Sequence, residues 1–505
     1  MTAAATDPRV AGVDLHAQFP EALDGHGPLV VTDLVQDSRA VTPGAGFVAL
    51  RGTREHGLAH AEDAAARGAG VILWDEADAG PPAGSPGVPG VHVPGLRALL
   101  PVMAQRVFGA WPEAAPIVAV TGTDGKTSVT HLIAAALERL GTPTGLVGTL
   151  GVGRPGQLRP AGHTTPGVLE LHRHLAGLAR EGCEAAALEA SSHGLVQGRL
   201  DGVPVRVAVL TRLGTDHLDF HGSQAAYAEA KAMLFDRPGL RTRVINADDE
   251  LGHELLRRPV PEGITDITWG LESSAAMARA EAIQAGPEGL HFVLVADGRR
   301  VPVRSRLYGR FQVENLLATL AALHALGHAW EAAADAVAEL PGVPGRMERH
   351  DLPGGAQLVV DYAHTAQALE AALSALRPHV RGRLFVVFGC GGDRDRGKRP
   401  AMGRVAMRAA DRVIVTDDNP RREDAAAIRH AVLQGCDDPA RCREMGDREA
   451  AVRTAVADAG PGDIVLLAGK GHETTQQIGD RFHPFSDREL AARLAREGIS
   501  GEGER

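Results

Sequence analysis

Lysine is almost absent from this chain. Among 53 lysines and arginines in 505 residues, only Lys126, Lys231, Lys398 and Lys470 are lysines, and arginine supplies positive charge everywhere else. A lysine kept against that background marks a place where a permanently charged guanidinium will not serve. Cysteine is also scarce. Cys183, Cys390, Cys436 and Cys442 form no C-x-x-C pair, which excludes a disulfide framework and a zinc cluster. No run of 18 apolar residues occurs, and the N-terminus lacks an apolar core flanked by basic residues, so a cytoplasmic protein without a membrane partner is expected. There is no excess of positive charge either. A formal net charge of −10 argues against a nucleic-acid or polyanion binder. A local phosphate site survives that exclusion, because it needs only a few backbone N–H groups and a cation or two.

A chain of this length exceeds one hydrophobic core, and its 44% hydrophobic and 23% charged content is that of a globular protein. Three α/β domains are expected, over residues 1–110, 111–342 and 343–505, with no internal repeat. The first holds "DSRAVTPGAGFVAL", the apolar run "GVILW" and a Pro/Gly stretch, "AGPPAGSPGVPGVHVPG", that is either a linker or a crossover loop. The second opens with "PIVAVTGTDGKTSVTHLIAAALERLG": a buried strand over Ile117 to Val120, a Gly-rich turn, then a helix with Val129, Leu132, Ile133, Ala136, Leu137 and Leu140 on one apolar face. In the third, "LFVVF", "RVIVT" and "DIVLLA" alternate with helical stretches and each runs into a polar loop. That pattern predicts a parallel sheet with helices on both faces and ligands at the strands' carboxyl ends.

Several stretches carry chemistry. "TGTDGKTS" between strand and helix reads as a phosphate cradle, with Gly122 and Gly125 admitting an anion, Lys126 reaching phosphates and the Thr127 hydroxyl ligating Mg²⁺. Its match to the Walker pattern is incomplete, since Val120 stands at the first glycine position. Read alone, it is equally a turn before a helix. Glu189 ends the apolar strand of "AAALEASSHG", either as a metal ligand or as a carboxylate facing water. In "LTRLGTDHLDFHG", His217 or an aspartate is a candidate Mg²⁺ ligand, and each histidine is equally a hydrogen-bonding one. Lys231 sits in the helical "YAEAKAML"; an ordinary helix-face lysine would extend to solvent. "TDDNPR" reads as a turn in which Asp418 caps a helix beginning near Glu423.

The order of these motifs is specific. "GTDGKT", "TTP", "LEASSHGLVQGR", "TDHLDFHG", "NADD", "GRFQVENLLA", "GRMER", "VVDYAHT", "GCGGDRDRGKRP", "TDDNPR" and "AGKGHE" follow one another as in the Mur ligase family, and the resemblance covers nearly the whole chain. It implies an N-terminal UDP-binding domain, a central P-loop ATPase-like parallel-sheet domain and a C-terminal Rossmann-like domain. "LEASSHGLVQGR" and the combination of "DNPR" with "GKGHE" point, within the family, to an ATP-dependent ligase of peptidoglycan precursor synthesis. It would add meso-2,6-diaminopimelate to UDP-N-acetylmuramoyl-L-alanyl-D-glutamate through an acyl phosphate, and act as a monomer.

The resemblance also implies roles for residues. Lys126, Glu189, His217 and Lys231 would be catalytic. Lys231 would react with CO₂ to give N6-carboxylysine, a carbamate that arginine cannot form. Thr127, Glu189, His217 and that carbamate would hold two Mg²⁺ ions. ATP would meet Gly122, Thr123, Asp124, Gly125, Lys126, Thr127, Ser128, Asn315, Arg346 and Asp361. Ser38, Thr53, Arg54 and Glu55 would hold the UDP-sugar, and His163, Thr164, Thr165, Ser191, Gln197 and Arg199 its peptide end. Arg394, Asp418, Asn419, Pro420, Arg421, Gly469 and Glu473 would bind the amino acid, with Arg421 facing its far carboxylate.

Some positions depart from the family pattern: Asp124 for asparagine beside a polyanion, His163 for the asparagine before "TT", Arg212 for an asparagine, and "GHETTQQIG" without Asp-Tyr after "GHE". The alternatives are a ligase adding L-lysine or L-ornithine, a folylpolyglutamate-synthase-like enzyme and a catalytically inactive nucleotide-binding protein.

Overall fold

The computed structural model describes residues 12–52, 55–75 and 87–497. Two compact units emerge. One comprises the described residues up to 121 with 142–208 and 216–241; the other comprises 122–141, 209–215 and 242 onward. No helix among the described residues is long and apolar enough to cross a membrane.

The first unit opens with a four-stranded sheet in the order Asp33–Val35, Ala45–Ala49, Val71–Trp74, Gly90–His92, parallel throughout. The pairing of Ile72 with Gly90 makes the Pro/Gly stretch a crossover and not a linker between domains; its residues 79–86 lie outside the described residues. Helix Leu96–Phe108 covers one face through Leu96, Leu100, Met103 and Val107, and Ala61 and Ala64 pack on the other beside Phe47 and Ile72. In the same unit Ile117–Thr121, Ala185–Glu189 and Thr144–Gly148 pair in parallel, and every residue in them is buried. Strands covered on both faces read as continuous apolar runs, which is why Ile117–Thr121 and the strand ending in Glu189 were visible in the sequence.

The second unit contains helix Lys126–Arg139, whose expected apolar face is buried. Burial extends beyond it to Thr130, His131 and Ala134, and the helix ends at Arg139, so Leu140 belongs to its cap. Strands Thr242–Asn246 and Thr265–Gly270 pair in parallel, then Ala278–Gly286, Gly289–Ala296 and Arg299–Ser305 form an antiparallel meander. A six-stranded sheet follows, ordered Glu348–Asp351, Gln357–Asp361, Ile464–Ala468, Leu384–Phe388, Arg412–Val415, Cys442–Glu444. It is parallel except at its first pair, an antiparallel edge that the strand–helix alternation did not reveal. Helices cover both faces, Ala366–Leu376, Lys398–Ala409 and Ala425–Leu433 on one, Arg448–Asp458 and Asp487–Glu497 on the other. The last-laid strand, Ile464–Ala468, inserts between two earlier ones, and the order of strands reverses there. The loops after Asp361, Phe388, Val415 and Ala468 therefore open at one carboxyl edge, where such sheets bind ligands.

Candidate active site

The phosphate cradle is built from a strand, a loop and an uncapped helix. Gly125 stands at the N-cap of Lys126–Arg139 with φ 81° and brings no side-chain cap to the helix. The positive end of a helix whose N-cap is a glycine suits an anion. The segment after strand Val205–Leu210 braces the loop: Thr211 Oγ1 donates to Asp124 O at 2.6 Å, Thr123 N–H to Arg212 O at 2.6 Å, and Gly214 N–H to Thr123 Oγ1 at 2.8 Å. Asn246 donates in turn to Thr211 O at 2.7 Å. Gly122 has φ 147°, and a Cβ there would lie 1.9 Å from Thr211 Oγ1, so the brace leaves room for glycine alone. Lys126 Nζ donates to Gly122 O and Thr123 O, both at 2.8 Å, which sets an ammonium against the loop backbone. Buried Asn315 presents Oδ1 to Gly125, where an added Cβ would meet it at 2.8 Å. Thr127 and Ser128 are half-buried in the first turn. Asp124 is exposed, and its pairing with Arg212 is a backbone bridge. Thr211 carries much of this arrangement, and sequence reasoning missed it because a lone threonine at a strand end has no signature.

In the first unit, Glu189 does not face water: it is 2% exposed. Thr149 donates to it twice, N–H to Oε1 at 2.7 Å and hydroxyl to Oε2 at 3.1 Å, and Thr149 Oγ1 lies 3.0 Å from Thr164 Oγ1. Thr165 Oγ1 donates to Glu189 O at 2.8 Å and accepts from Ser191 N–H at 3.0 Å; Arg199 reaches Thr165 O at 2.6 Å and Gln197 Oε1 at 2.9 Å. Thr164, Thr165, Ser191, Gln197 and Arg199 thus form one hydrogen-bonded cluster around Glu189.

Lys231 does not extend to solvent. It is 1% exposed on helix Gln224–Ala232, with Nζ 4.4 Å above the Tyr227 ring. Three histidines gather nearby: the His193 ring lies 4.8 Å from that of His217 and 5.4 Å from that of His221, and the His221 ring lies 5.2 Å from Tyr227. His221 Nε2 also lies 3.0 Å from Ser192 Oγ. Burial first, then the neighbouring His217, pushes His193 and His221 below the ordinary imidazole value. His217 itself is half-exposed, with φ 52°. His193, His221 and Tyr227 escaped the sequence reading because only the fold brings them beside Lys231.

A cavity of about 1020 Å³ lies in this same unit. Of the residues expected at the UDP-sugar peptide, Glu55, His163, Gln197 and Arg199 line it, together with Gln36, Asp37, His60, Arg97 and Arg173, which were not foreseen. Arg173 is held there by Asp33 Oδ1 at 2.5 Å and Leu34 O at 2.8 Å. Ser38 is buried, and its hydroxyl bonds Asp63, lowering that acid's pKa. Thr53 and Arg54 lie outside the described residues.

The second unit's strand-end loops bring the remaining expected residues together. Asn419 Nδ2 donates to Glu473 Oε2 at 2.8 Å. Arg421 Nη1 donates to Gly392 O at 2.8 Å; its backbone has φ 51° and bridges to Ile478. Gly392 N–H donates to Asn419 O, and a Cβ on Gly392 would fall 1.9 Å from Pro420 O. Asp418 is buried, with Oδ2 2.7 Å from where a Cβ on Gly469 would stand (φ 114°). The expected cap is corrected here: the helix is Ala425–Leu433, and Asp424 caps it by accepting from Ala427 N–H at 3.1 Å. Asp418 is thereby left for another task. Gln476 Nε2 donates to Asp418 O at 2.7 Å and Gln477 N–H to Asn419 Oδ1 at 2.9 Å, so the unusual "TTQQIG" ties a hairpin to the DNPR loop. Arg394 is exposed in the adjacent loop.

Nearby, the Arg346 guanidinium lies 4.9 Å over the Tyr362 ring. Asp361 accepts from Met347 N–H at 2.9 Å and Ala363 N–H at 2.8 Å, and burial raises its pKa. Six non-glycine residues among those described have positive φ, and four of them, His217, Met347, Asp393 and Arg421, fall in these loops. Strain of that kind gathers where geometry is fixed for a ligand.

The glycine cradle and uncapped helix fit a polyphosphate. For a metal the fit is conditional. Among the described residues no three His, Cys, Asp or Glu side chains are placed to hold one. Glu189 offers the oxygen Mg²⁺ prefers, whereas Lys231 as an ammonium would repel it; only as a carbamate would Lys231 add oxygens.

Comparison with known proteins gives these clusters a common frame. Residues 31–107 match the catalytic domain of the Mur ligase family, 120–323 the Mur ligase middle domain and 345–471 the Mur ligase glutamate ligase domain. The UDP-N-acetylmuramoyl-L-alanyl-D-glutamate--2,6-diaminopimelate ligase of Alkalilimnicola ehrlichii is 48% identical over 468 residues, 91% of this chain and 93% of that protein. Its counterpart in Xanthomonas campestris is 47% identical over 475 residues, 93% and 95% of the two chains. A solved structure of a ligase of that name superposes with a TM-score of 0.73 at 36% identity, covering 96% of this chain and 99% of the other. The chain belongs to the Mur ligase family, whose members are ATP-dependent ligases.

Proposed function

We propose that this protein joins an amine of meso-2,6-diaminopimelate to the D-glutamyl carboxylate of UDP-N-acetylmuramoyl-L-alanyl-D-glutamate, driven by ATP, in peptidoglycan precursor synthesis. The observation that carries this reading is the set of strand-end loops around Asn419, Arg421 and Glu473. There Asn419 meets the Glu473 carboxylate and the Arg421 guanidinium meets Gly392 O, groups suited to an amino acid with charges at both ends.

The γ-phosphate of ATP passes to the D-glutamyl carboxylate, giving an acyl phosphate. The incoming amine attacks that carbonyl, and phosphate leaves as the amide forms. The chain's part is alignment and charge neutralisation. The loop Gly122–Ser128 cradles the phosphates, Lys126 offsets charge growing on them, and Asn315, Arg346 and Asp361 orient the nucleotide. Mg²⁺, two ions in this reading, would supply further charge neutralisation when bound. Thr127, Glu189, His217 and Lys231 as N6-carboxylysine would hold it, and the burial of Lys231 supports the carbamate, because burial favours the neutral amine that attacks CO₂. Ser38, Thr53, Arg54 and Glu55 would receive the UDP-sugar, and the cluster of His163, Thr164, Thr165, Ser191, Gln197 and Arg199 its peptide. The domains serving these steps are 1–110, 111–342 and 343–505.

Phosphate release measured with one substrate omitted at a time tests the reaction. We expect turnover only with ATP, the UDP-sugar dipeptide and the amino acid all present, with tripeptide product by mass. ATP hydrolysis indifferent to the dipeptide would contradict the proposal. Lys231→Arg should be inactive, and near-normal turnover in it would remove the carbamate.

A further inference from the structure

We propose that Lys470 is a positioning residue for the incoming amino acid: its buried ammonium fixes the Asn419 carboxamide and the Glu473 carboxylate in one orientation. The inference rests on assigning these loops to amino-acid binding.

Lys470 follows strand Ile464–Ala468 and is 0% exposed. An ammonium has three donors and no acceptor. Nζ meets three oxygens, each on a different segment: Asn419 Oδ1 at 3.3 Å in the DNPR loop, Glu473 Oε2 at 3.1 Å in "GHE", and Thr475 O at 2.8 Å at the start of the hairpin strand Thr475–Ile478. Donors and acceptors match one to one, the condition under which a charge is tolerated inside a protein.

The consequence falls on Asn419. Its Oδ1 accepts from Lys470 Nζ and from Gln477 N–H, and its Nδ2 donates to Glu473 Oε2. Turning the amide over would press its NH₂ against the ammonium and its oxygen against the carboxylate. Lys470, with Gln477 N–H, therefore fixes which way Asn419 faces. Glu473 is fixed by the same bonds: Oε2 accepts from both Lys470 and Asn419, and the side chain is 32% exposed, which leaves Oε1 to accept from a substrate amine. A guanidinium could not take this place. It brings five donors in a flat fork to a closed site offering three converging acceptors, which accounts for a lysine in an arginine-rich chain.

Lys470→Met keeps most of the side chain's length and removes the charge. With this variant we expect the KM for meso-diaminopimelate to rise about tenfold or more, with the KM values for ATP and the UDP-sugar dipeptide within about twofold of the parent. A general structural defect would move all of them. In parallel, ¹⁵N-lysine labelling of the parent protein gives only four side-chain nitrogen positions to assign, with Lys398→Arg helping by elimination. The buried Lys470 signal should shift on adding meso-diaminopimelate and stay in place on adding ATP, a readout that stands even if the methionine variant fails to fold. A folded Lys470→Met with an unchanged KM for meso-diaminopimelate, or a Lys470 signal indifferent to that amino acid, would overturn the proposal. If the unmodified protein did not use meso-diaminopimelate at all, the site assignment itself would fall; normal use with an unaffected variant would remove only the role of Lys470.

Discussion

The phosphate loop and the DNPR loop both follow a buried parallel strand, yet they prepare opposite kinds of recognition. After Ile117–Thr121 only four residues precede the helix at Lys126, and its N-cap is a glycine with no side-chain cap. After Arg412–Val415 the chain makes a longer excursion before Ala425–Leu433, and Asp424 occupies that helix's N-terminus. One loop offers a ligand its backbone and a helix end without a side-chain cap. The other caps its helix with Asp424 and presents side chains instead, with Arg421 held at φ 51° to do so. Backbone donors suit phosphate oxygens, which look alike from every side. Side chains of fixed orientation suit a substrate whose two ends must be told apart.

Substitutions that fill, strip or neutralise either loop would sharpen or break this contrast. Two large effects are expected, the first from Gly122→Ala. Its Cβ would collide with Thr211 Oγ1 at φ 147°, and strain of about 3 kcal/mol corresponds to a fall of about a hundredfold in kcat/KM for ATP. Nearly full activity would mean that the brace from Thr211 is not needed. Arg421→Ala should lower kcat/KM for meso-diaminopimelate by several kcal/mol, about a hundredfold or more, while leaving the KM for ATP unchanged. An equal loss on ATP would show that the two loops do not divide their tasks. Asp424→Ala should cost about 1 kcal/mol of stability, read as a lower Tm, without altering amino-acid preference. A changed preference there would make the cap part of the site. Asp124→Asn should be smallest: ATP binding tightened by up to about 1 kcal/mol or unchanged in a titration, because one exposed carboxylate near the phosphates is removed. Clearly weaker binding would make Asp124 a partner rather than a tolerated change.

The same contrast explains what the sequence disclosed. Strands such as Ile117–Thr121 and Leu384–Phe388 were legible because burial on both faces leaves an uninterrupted apolar run. The phosphate loop was legible because glycine and lysine at fixed spacing serve backbone geometry within a few residues. Lys231 stood out through the scarcity of lysine. Thr211, His193, His221 and Arg173 did not, since each acts through partners far away in the chain and no local spacing marks it. The misplaced helix cap has the same origin: Asp418 and Asp424 are both acids before a helix, and only the length of the loop decides between them. The orientation of Asn419 was likewise beyond reach, because it is set jointly by Lys470 and Gln477.

The central claim is the identity of the incoming amino acid, and a direct comparison of three candidates tests it. With ATP and the UDP-sugar dipeptide saturating, meso-diaminopimelate, L-lysine and L-ornithine are supplied at equal concentration and tripeptide formation is followed. Only meso-diaminopimelate has a far carboxylate for Arg421, so it should exceed the other two by about a hundredfold or more. Equal or faster turnover with L-lysine or L-ornithine would contradict the account.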